Sequence, residues 1–157
     1  EDVWRQRGGR GGKKMKIIPT AIPEVLLVEP RVFGDERGFF FESYNERQWR
    51  EQTGLNLQFV QHNHSRSARN VLRGLHYQIR QPQGKLVRVI RGEVYDVAVD
   101  LRRSSATFGR WVGEYLSEEN KRLFWVRPGL PMVFWSCRRW PIFFIWPRIF
   151  MPRGMNG

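Results

Sequence analysis

The sequence predicts an all-β fold of the sandwich or barrel type, on three observations. Short runs rich in Val, Ile, Leu and aromatic residues recur at 24–29, 38–42, 57–61, 85–101 and 111–116. Turn signals such as Arg91-Gly92-Glu93 and Ser104-Ser105 separate them. Helix signals are confined to one short segment and one single turn.

In chain order, Glu24-Val25-Leu26-Leu27-Val28-Glu29 reads as a strand, and Gly38-Phe39-Phe40-Phe41-Glu42 as another. Ser43 and Glu46 have capping-box spacing and Gly54 is a suitable stop, so a short helix is expected between them. Leu57–Gln61 reads as a further strand. Residues 85–101 hold two Val/Ile-rich runs around Arg91-Gly92-Glu93, as a β-hairpin or as two sequential strands. Trp111–Leu116 adds a strand, and Ser117-Glu118-Glu119-Asn120 a single helical turn.

With 157 residues, the chain has room for one domain. Hydrophobic residues at 41% and aromatics at 14% suffice for a core. One cysteine excludes an intramolecular disulfide framework and a CxxC zinc site. No apolar run reaches about 18 residues, so no membrane span is expected. No secretory pattern opens the sequence, and a soluble cytoplasmic domain is the expectation.

The net charge of +12 is unevenly spread. Residues 1–14 carry +3 and residues 127–157 carry +5, leaving +4 for 15–126. A basic excess of this size suggests nucleic acid. Its confinement to the two ends argues against that partner for the domain itself. The head, EDVWRQRGGRGGKK, reads either as a short RG-type arm or as an extension preceding a domain that opens at Met15. The extension is preferred, because one RGG is not a repeat.

Polar candidates crowd residues 61–85: Gln61, His62, Asn63, His64, Arg66, Arg69, Arg73, His76, Tyr77 and Lys85. On a strand, Gln61 and Asn63 share one face while His62 and His64 share the other. Arg73 and His76 differ in parity unless Gly74 bends the strand. Three readings fit. His62 and His64 could open a metal site, which needs at least one more ligand. The residues could be solvated loop positions. Or they could line a pocket with a histidine base, a lysine for a developing oxyanion and arginines for phosphate.

The middle of the chain resembles the dTDP-4-dehydrorhamnose 3,5-epimerase family in four segments: FGDERGFFFESYNE (33–46), QHNHSRSARNVLRGLHYQ (61–78), PQGKLVRVIRGEVYDVAVDLRRSSATFG (82–109) and LSEENKRLFWV (116–126). The combination is specific; no single string is. The resemblance implies a cupin-like jelly roll (double-stranded β-helix) acting as a homodimer, with no metal and no cofactor. It implies 3,5-epimerisation of dTDP-4-dehydro-6-deoxy-D-glucose by proton abstraction beside the C4 ketone. By the same resemblance His76 is the base and Lys85 contacts the sugar or stabilises the enolate. Arg37, Glu42, Gln61, Asn63 and Arg73 bind substrate. A non-catalytic sugar-nucleotide binder, a one-carbon epimerase and a metal-dependent cupin remain as alternatives.

From about residue 131 the family pattern is lost. The family continues with a histidine, a donor Tyr and an Asp behind the base. This chain reads PMVFWSCRRWPIFFIWPRIFMPRGMNG, with three Trp, four Arg and no acid. A reading-frame slip near Leu130 is the expected account, with a truly divergent hydrophobic tail as the alternative. Joining each codon's last base to the next two bases, Met132-Val133 forces glycine, Trp140-Pro141 and Trp146-Pro147 force alanine, and Met155-Asn156 forces glutamate. Phe150-Met151 allows tyrosine. The shifted tail can read H-G-F-L … F-L-Y-x-A-T-D-F-Y-A-P-x-H-E, the expected ending in order. The domain boundaries are therefore read as 1–14, 15–130 and 131–157. The literal chain is expected to lack the donor Tyr, to lose or distort its last strands, and to have little epimerase activity.

Overall fold

A computed structural model describes residues 15–136 together with the backbone of 142–149. Twelve strands and one helix follow in the order β1 (Lys16–Pro19), β2 (Val25–Glu29), β3 (Phe33–Asp35), β4 (Gly38–Phe40), α1 (Glu46–Thr53), β5 (Asn63–Arg66), β6 (Leu72–His76), β7 (Gln83–Arg91), β8 (Glu93–Val99), β9 (Trp111–Ser117), β10 (Leu123–Val126), β11 (Met132–Ser136) and β12 (Ile142–Ile149). A six-stranded sheet runs β1-β2-β10-β7-β12-β5 and a four-stranded sheet runs β6-β11-β8-β9. Strands β3 and β4 form a separate hairpin. This is the jelly-roll sandwich that the resemblance implies. Among the described residues no helix is long and apolar enough to cross a membrane.

Side-chain alternation explains the layers. On β8, Val94, Asp96 and Ala98 are buried while their neighbours are half-buried. On β7, Val87 and Val89 join the core between the sheets with Val25, Leu27, Phe124, Val126 and Leu116. Leu86 points the other way, into a second core with Trp49 of α1, Leu57, Leu123 and Trp125. The six-stranded sheet is thus covered on both faces at its centre, so Leu123-Phe124-Trp125-Val126 is buried throughout. Trp49 stacks edge-on against Trp125, with centroids 5.9 Å apart.

Several sequence expectations are refined. The runs in 85–101 are sequential strands, not a hairpin: β7 and β8 lie in different sheets, linked at Gly92 with φ 79°. The helix is capped by Asn45 and not Ser43; the Asn45 side chain accepts from the Gln48 amide at 3.1 Å. Gly54 ends it with φ 70°. Leu57–Gln61 is not a strand. It crosses the outer core as a loop, and its apolar spacing reflects burial of Leu57 without a backbone ladder. The turn at Ser117–Asn120 is present, closed by reciprocal bonds of 3.1 Å between each amide and the other's side chain.

The last strands are shifted in register but not lost. β11 pairs with β6 and β8, and β12 pairs with β5 and β7; each carries one register shift. The expected loss of closing strands is corrected on this point. A backbone ladder does not read side-chain identity, and a run rich in Val, Ile, Phe and Trp suits a pleated surface whatever its frame.

Candidate active site

The site begins on β6, an edge strand. Its register with β11 sets His76 opposite Met132 and Arg73 opposite Phe134, with a shift between Met132 and Phe134. Met132 and Phe134 belong to the inner core, so Arg73 and His76 both face between the sheets despite their odd separation. Gly74 makes this bend: its φ is +143°, and a Cβ there would lie 2.4 Å from the Cβ of Val133. Gly74→Ala is therefore expected to lower stability by about 1–3 kcal/mol. Urea unfolding checks this; an unchanged midpoint would contradict it.

Arg73 also closes the side of the sandwich. Its Nη2 donates to the Arg66 carbonyl of β5 at 3.4 Å, linking the edges of the two sheets. Its guanidinium lies 6.0 Å from the Phe134 ring centroid. Both Arg73 and His76 are exposed, so the mouth is open.

Lys85 approaches from the facing sheet. It lies across from Val126 on β10, on the inner face shared with Val87 and Val89. It is half-buried, and burial lowers its pKa, with the charge of Asp96 opposing that shift. Asn63 aligns with Val87 across β12, so it faces inward too. Gln61 donates from Nε2 to the Asn63 Oδ1 at 2.7 Å. His64 has the opposite parity, aligned with Arg88 on the outer face. His64 is thus not assembled with His76, as a metal site built from these histidines would need. Among the described residues no group of three metal-ligating side chains forms.

Arg37 and Glu42 are not brought to this mouth. Arg37 binds Asp35 within its own hairpin, through its amide at 3.0 Å and its guanidinium at 2.5 Å. Glu42 accepts from Asn45 Nδ2 at 3.2 Å and Gln48 Nε2 at 3.0 Å, at the start of α1. The segment lies against the outer face: Arg88 sits 5.1 Å from the Phe41 ring and Lys121 4.3 Å from the Phe39 ring. His76 lies on the other side of the six-stranded sheet.

A family model described as dTDP-4-dehydrorhamnose 3,5-epimerase matches residues 19–144. The chain belongs to the dTDP-4-dehydrorhamnose 3,5-epimerase family. It is 70% identical over 115 residues to the dTDP-4-dehydrorhamnose 3,5-epimerase of Pseudomonas aeruginosa, a match covering 73% of this chain and 64% of that one. It is 60% identical over 116 residues to the enzyme of the same name from Shigella flexneri, covering 73% and 64%. The chain thus spans just under two thirds of the length of these curated relatives. Among solved structures, dTDP-6-deoxy-D-glucose-3,5-epimerase of Legionella pneumophila, in complex with dTDP-4-keto-L-rhamnose, superposes with a TM-score of 0.83 at 49% identity. That match covers 88% of this chain and 73% of the other.

Two acids escaped the sequence reading. Asp96 sits at an inward position of β8, and the signal was there: it interrupts the apolar row Val94–Ala98. Asp100 is fully buried and saturated. It accepts from Arg102 at 2.8 and 2.9 Å, Ser105 at 2.5 Å and Thr107 at 2.6 Å, while Arg102 also reaches Glu24 at 2.8 Å. These bonds, the Arg102 one foremost, hold the Asp100 carboxyl far below the usual range. A carboxyl depressed by folding stabilises above its unfolded pKa of about 3.9 and loses that contribution as pH falls toward the folded value. Stability is expected to drop below about pH 4, and Asp100→Asn should flatten that limb in melts recorded against pH.

Proposed function

We propose that the chain is a cytoplasmic, cofactor-free sugar-nucleotide epimerase acting on dTDP-4-dehydro-6-deoxy-D-glucose in dTDP-rhamnose biosynthesis, giving dTDP-4-dehydro-L-rhamnose. One observation carries the reading: a histidine and a lysine face one mouth from opposite sheets, with an arginine beside the histidine. C3 and C5 of that sugar both flank the C4 ketone, so one carbonyl acidifies both protons. The His76 imidazole takes a proton from carbon, and the electron pair moves onto the ketone oxygen as an enolate. Lys85 stabilises the oxyanion. Return of a proton to the opposite face inverts the carbon. No electrons are gained or lost overall, so the chemistry asks for no redox group. Arg73 suits the diphosphate and Gln61–Asn63 the nucleotide end.

Arg37 and Glu42 bind the nucleotide in this proposal, and they cannot reach the mouth of their own chain. Their place on the outer face supports a homodimer in which each hairpin serves the other copy's site. No nucleic acid or membrane partner enters this reading.

We further infer that residues 131–157 are read in a shifted frame, which removes the proton donor. Base and donor then come apart experimentally. Incubated in D2O with the substrate, the chain is expected to wash deuterium into C3 and C5 faster than background, with little inversion, by NMR. Exchange at one carbon only would favour a one-carbon epimerase. Binding of dTDP without exchange would favour a binding-only relative. A chain that neither binds nor exchanges would sink the reading.

A further inference from the structure

Asp96 lies mid-strand on β8 and is 0% exposed. Its row runs from Arg73 on β6 through Phe134 on β11 to Asp96, and on to Glu114 on β9. Neither carboxylate oxygen makes a hydrogen bond of good geometry among the described residues. A buried carboxyl in that state is strongly disfavoured unless a charge compensates it. Accordingly burial pushes its pKa well up, with Lys85 and the Val97 amide pulling the other way.

Lys85 stands on the facing strand and feels the reverse influence: Asp96 opposes the burial that would strip its proton. The two side chains do not close into a direct ion pair, since the Asp96 oxygens stay without a bond. The ammonium therefore spends no donor on Asp96. The other groups facing this space supply no further negative charge to hold the Lys85 proton. Arg73 and His76 on β6 are basic, Gln61 and Asn63 are neutral, and Met132, Phe134 and Val126 do not ionise. Glu114 stands across from Asp96 but is drawn to Arg122, 3.9 Å away.

We propose that Asp96 is a positioning residue that holds Lys85 as an ammonium at the mouth, where an oxyanion forms on enolisation. The role in catalysis rests on the epimerase reading above; the coupling of the two side chains does not. A lysine half-buried among basic and neutral neighbours otherwise tends toward the neutral amine, which stabilises an enolate poorly.

The test is Asp96→Asn in the whole chain, with the Lys85 side chain titrated by NMR and solvent-deuterium exchange measured on the same sample. The expected result is a tenfold or greater fall in the proton affinity of Lys85, about one pH unit. The basic limb of the exchange-against-pH profile moves down by about one unit, while dTDP affinity changes less than about twofold. The melting temperature does not fall, because a neutral isostere replaces a buried carboxyl; a merely structural role would lower it and leave Lys85 alone. An unchanged Lys85 titration, or an unchanged pH profile of exchange beside an active parent chain, overturns the proposal. Should Asp96→Asn fail to fold, Lys85→Met gives the reciprocal reading: the Asp96 carboxyl titrates higher if the pair is coupled and stays put if it is not. A parent chain without exchange defeats the epimerase reading alone, and the two titrations still decide the coupling.

Discussion

Restoring the reading frame after Leu130 is expected to raise epimerase turnover by about 10²–10⁴-fold over the chain as it stands. Proton transfer by a positioned acid supplies a factor of that order, and the literal tail from Pro131 offers no tyrosine and no carboxyl. The six-stranded sheet does not need rebuilding for this, because β12 already occupies the slot between β7 and β5. What changes is which side chains that strand presents. Turnover is measured by following inverted product, with the two chains compared at equal saturation by the sugar-nucleotide substrate. Equal turnover would show that the tail as it stands is functional and that the donor lies elsewhere. Resequencing the codons for Val126 to Ser136 decides the premise beforehand: an intact frame makes this a relative without its acid.

The second large effect concerns the base. His76→Asn is expected to cut deuterium exchange at C3 and C5 by about 10²–10⁴-fold, while dTDP affinity stays within about twofold. His76 is exposed on an edge strand and packs against little, so the substitution costs the fold little. The contrast with Arg73→Ala is informative. Loss of Arg73 should weaken dTDP binding, since a diphosphate loses its bidentate donors. It should also loosen the edge where Arg73 reaches the Arg66 carbonyl. Exchange that persists in His76→Asn would move the base to another residue of the mouth.

The electrostatics divide along the same lines. Asp100 is bonded by Arg102, Ser105 and Thr107, and its depressed pKa is a matter of stability. Asp96 is buried just as deeply yet without such bonds, and its raised pKa faces the site. Two acids four residues apart thus do opposite work, and only their surroundings distinguish them.

The family, the all-β class and the strands β2, β7, β8 and β9 were legible in the residues. Alternating apolar runs have one stable use, as faces of a buried sheet. The combined strings around Arg73, His76, Lys85 and Asp100 carried the family. Strands β5 and β6 were legible only in part: residues 61–64 could be read on a strand and Gly74 as a bend, but nothing in the residues set the bounds. Their residues are polar or exposed, and pairing with β12 and β11 makes them strands. Leu57 misled for the converse reason: its apolar side chain is buried by a loop, and periodicity cannot tell burial from pairing.

By itself, then, the sequence determined which groups are present and the alternation that builds two sheets. It also carried the break in pattern after Leu130. Tertiary structure decided which groups meet. The shift at Gly74 turns Arg73 and His76 to one face, against their parity. The crossing from β7 to β8 puts Lys85 and Asp96, eleven residues apart, in facing sheets, with both turned inward. The six-stranded sheet keeps Arg37 and Glu42 from their own chain's mouth. Charges interact through space with a strength set by distance and burial, and neither quantity is written along the chain.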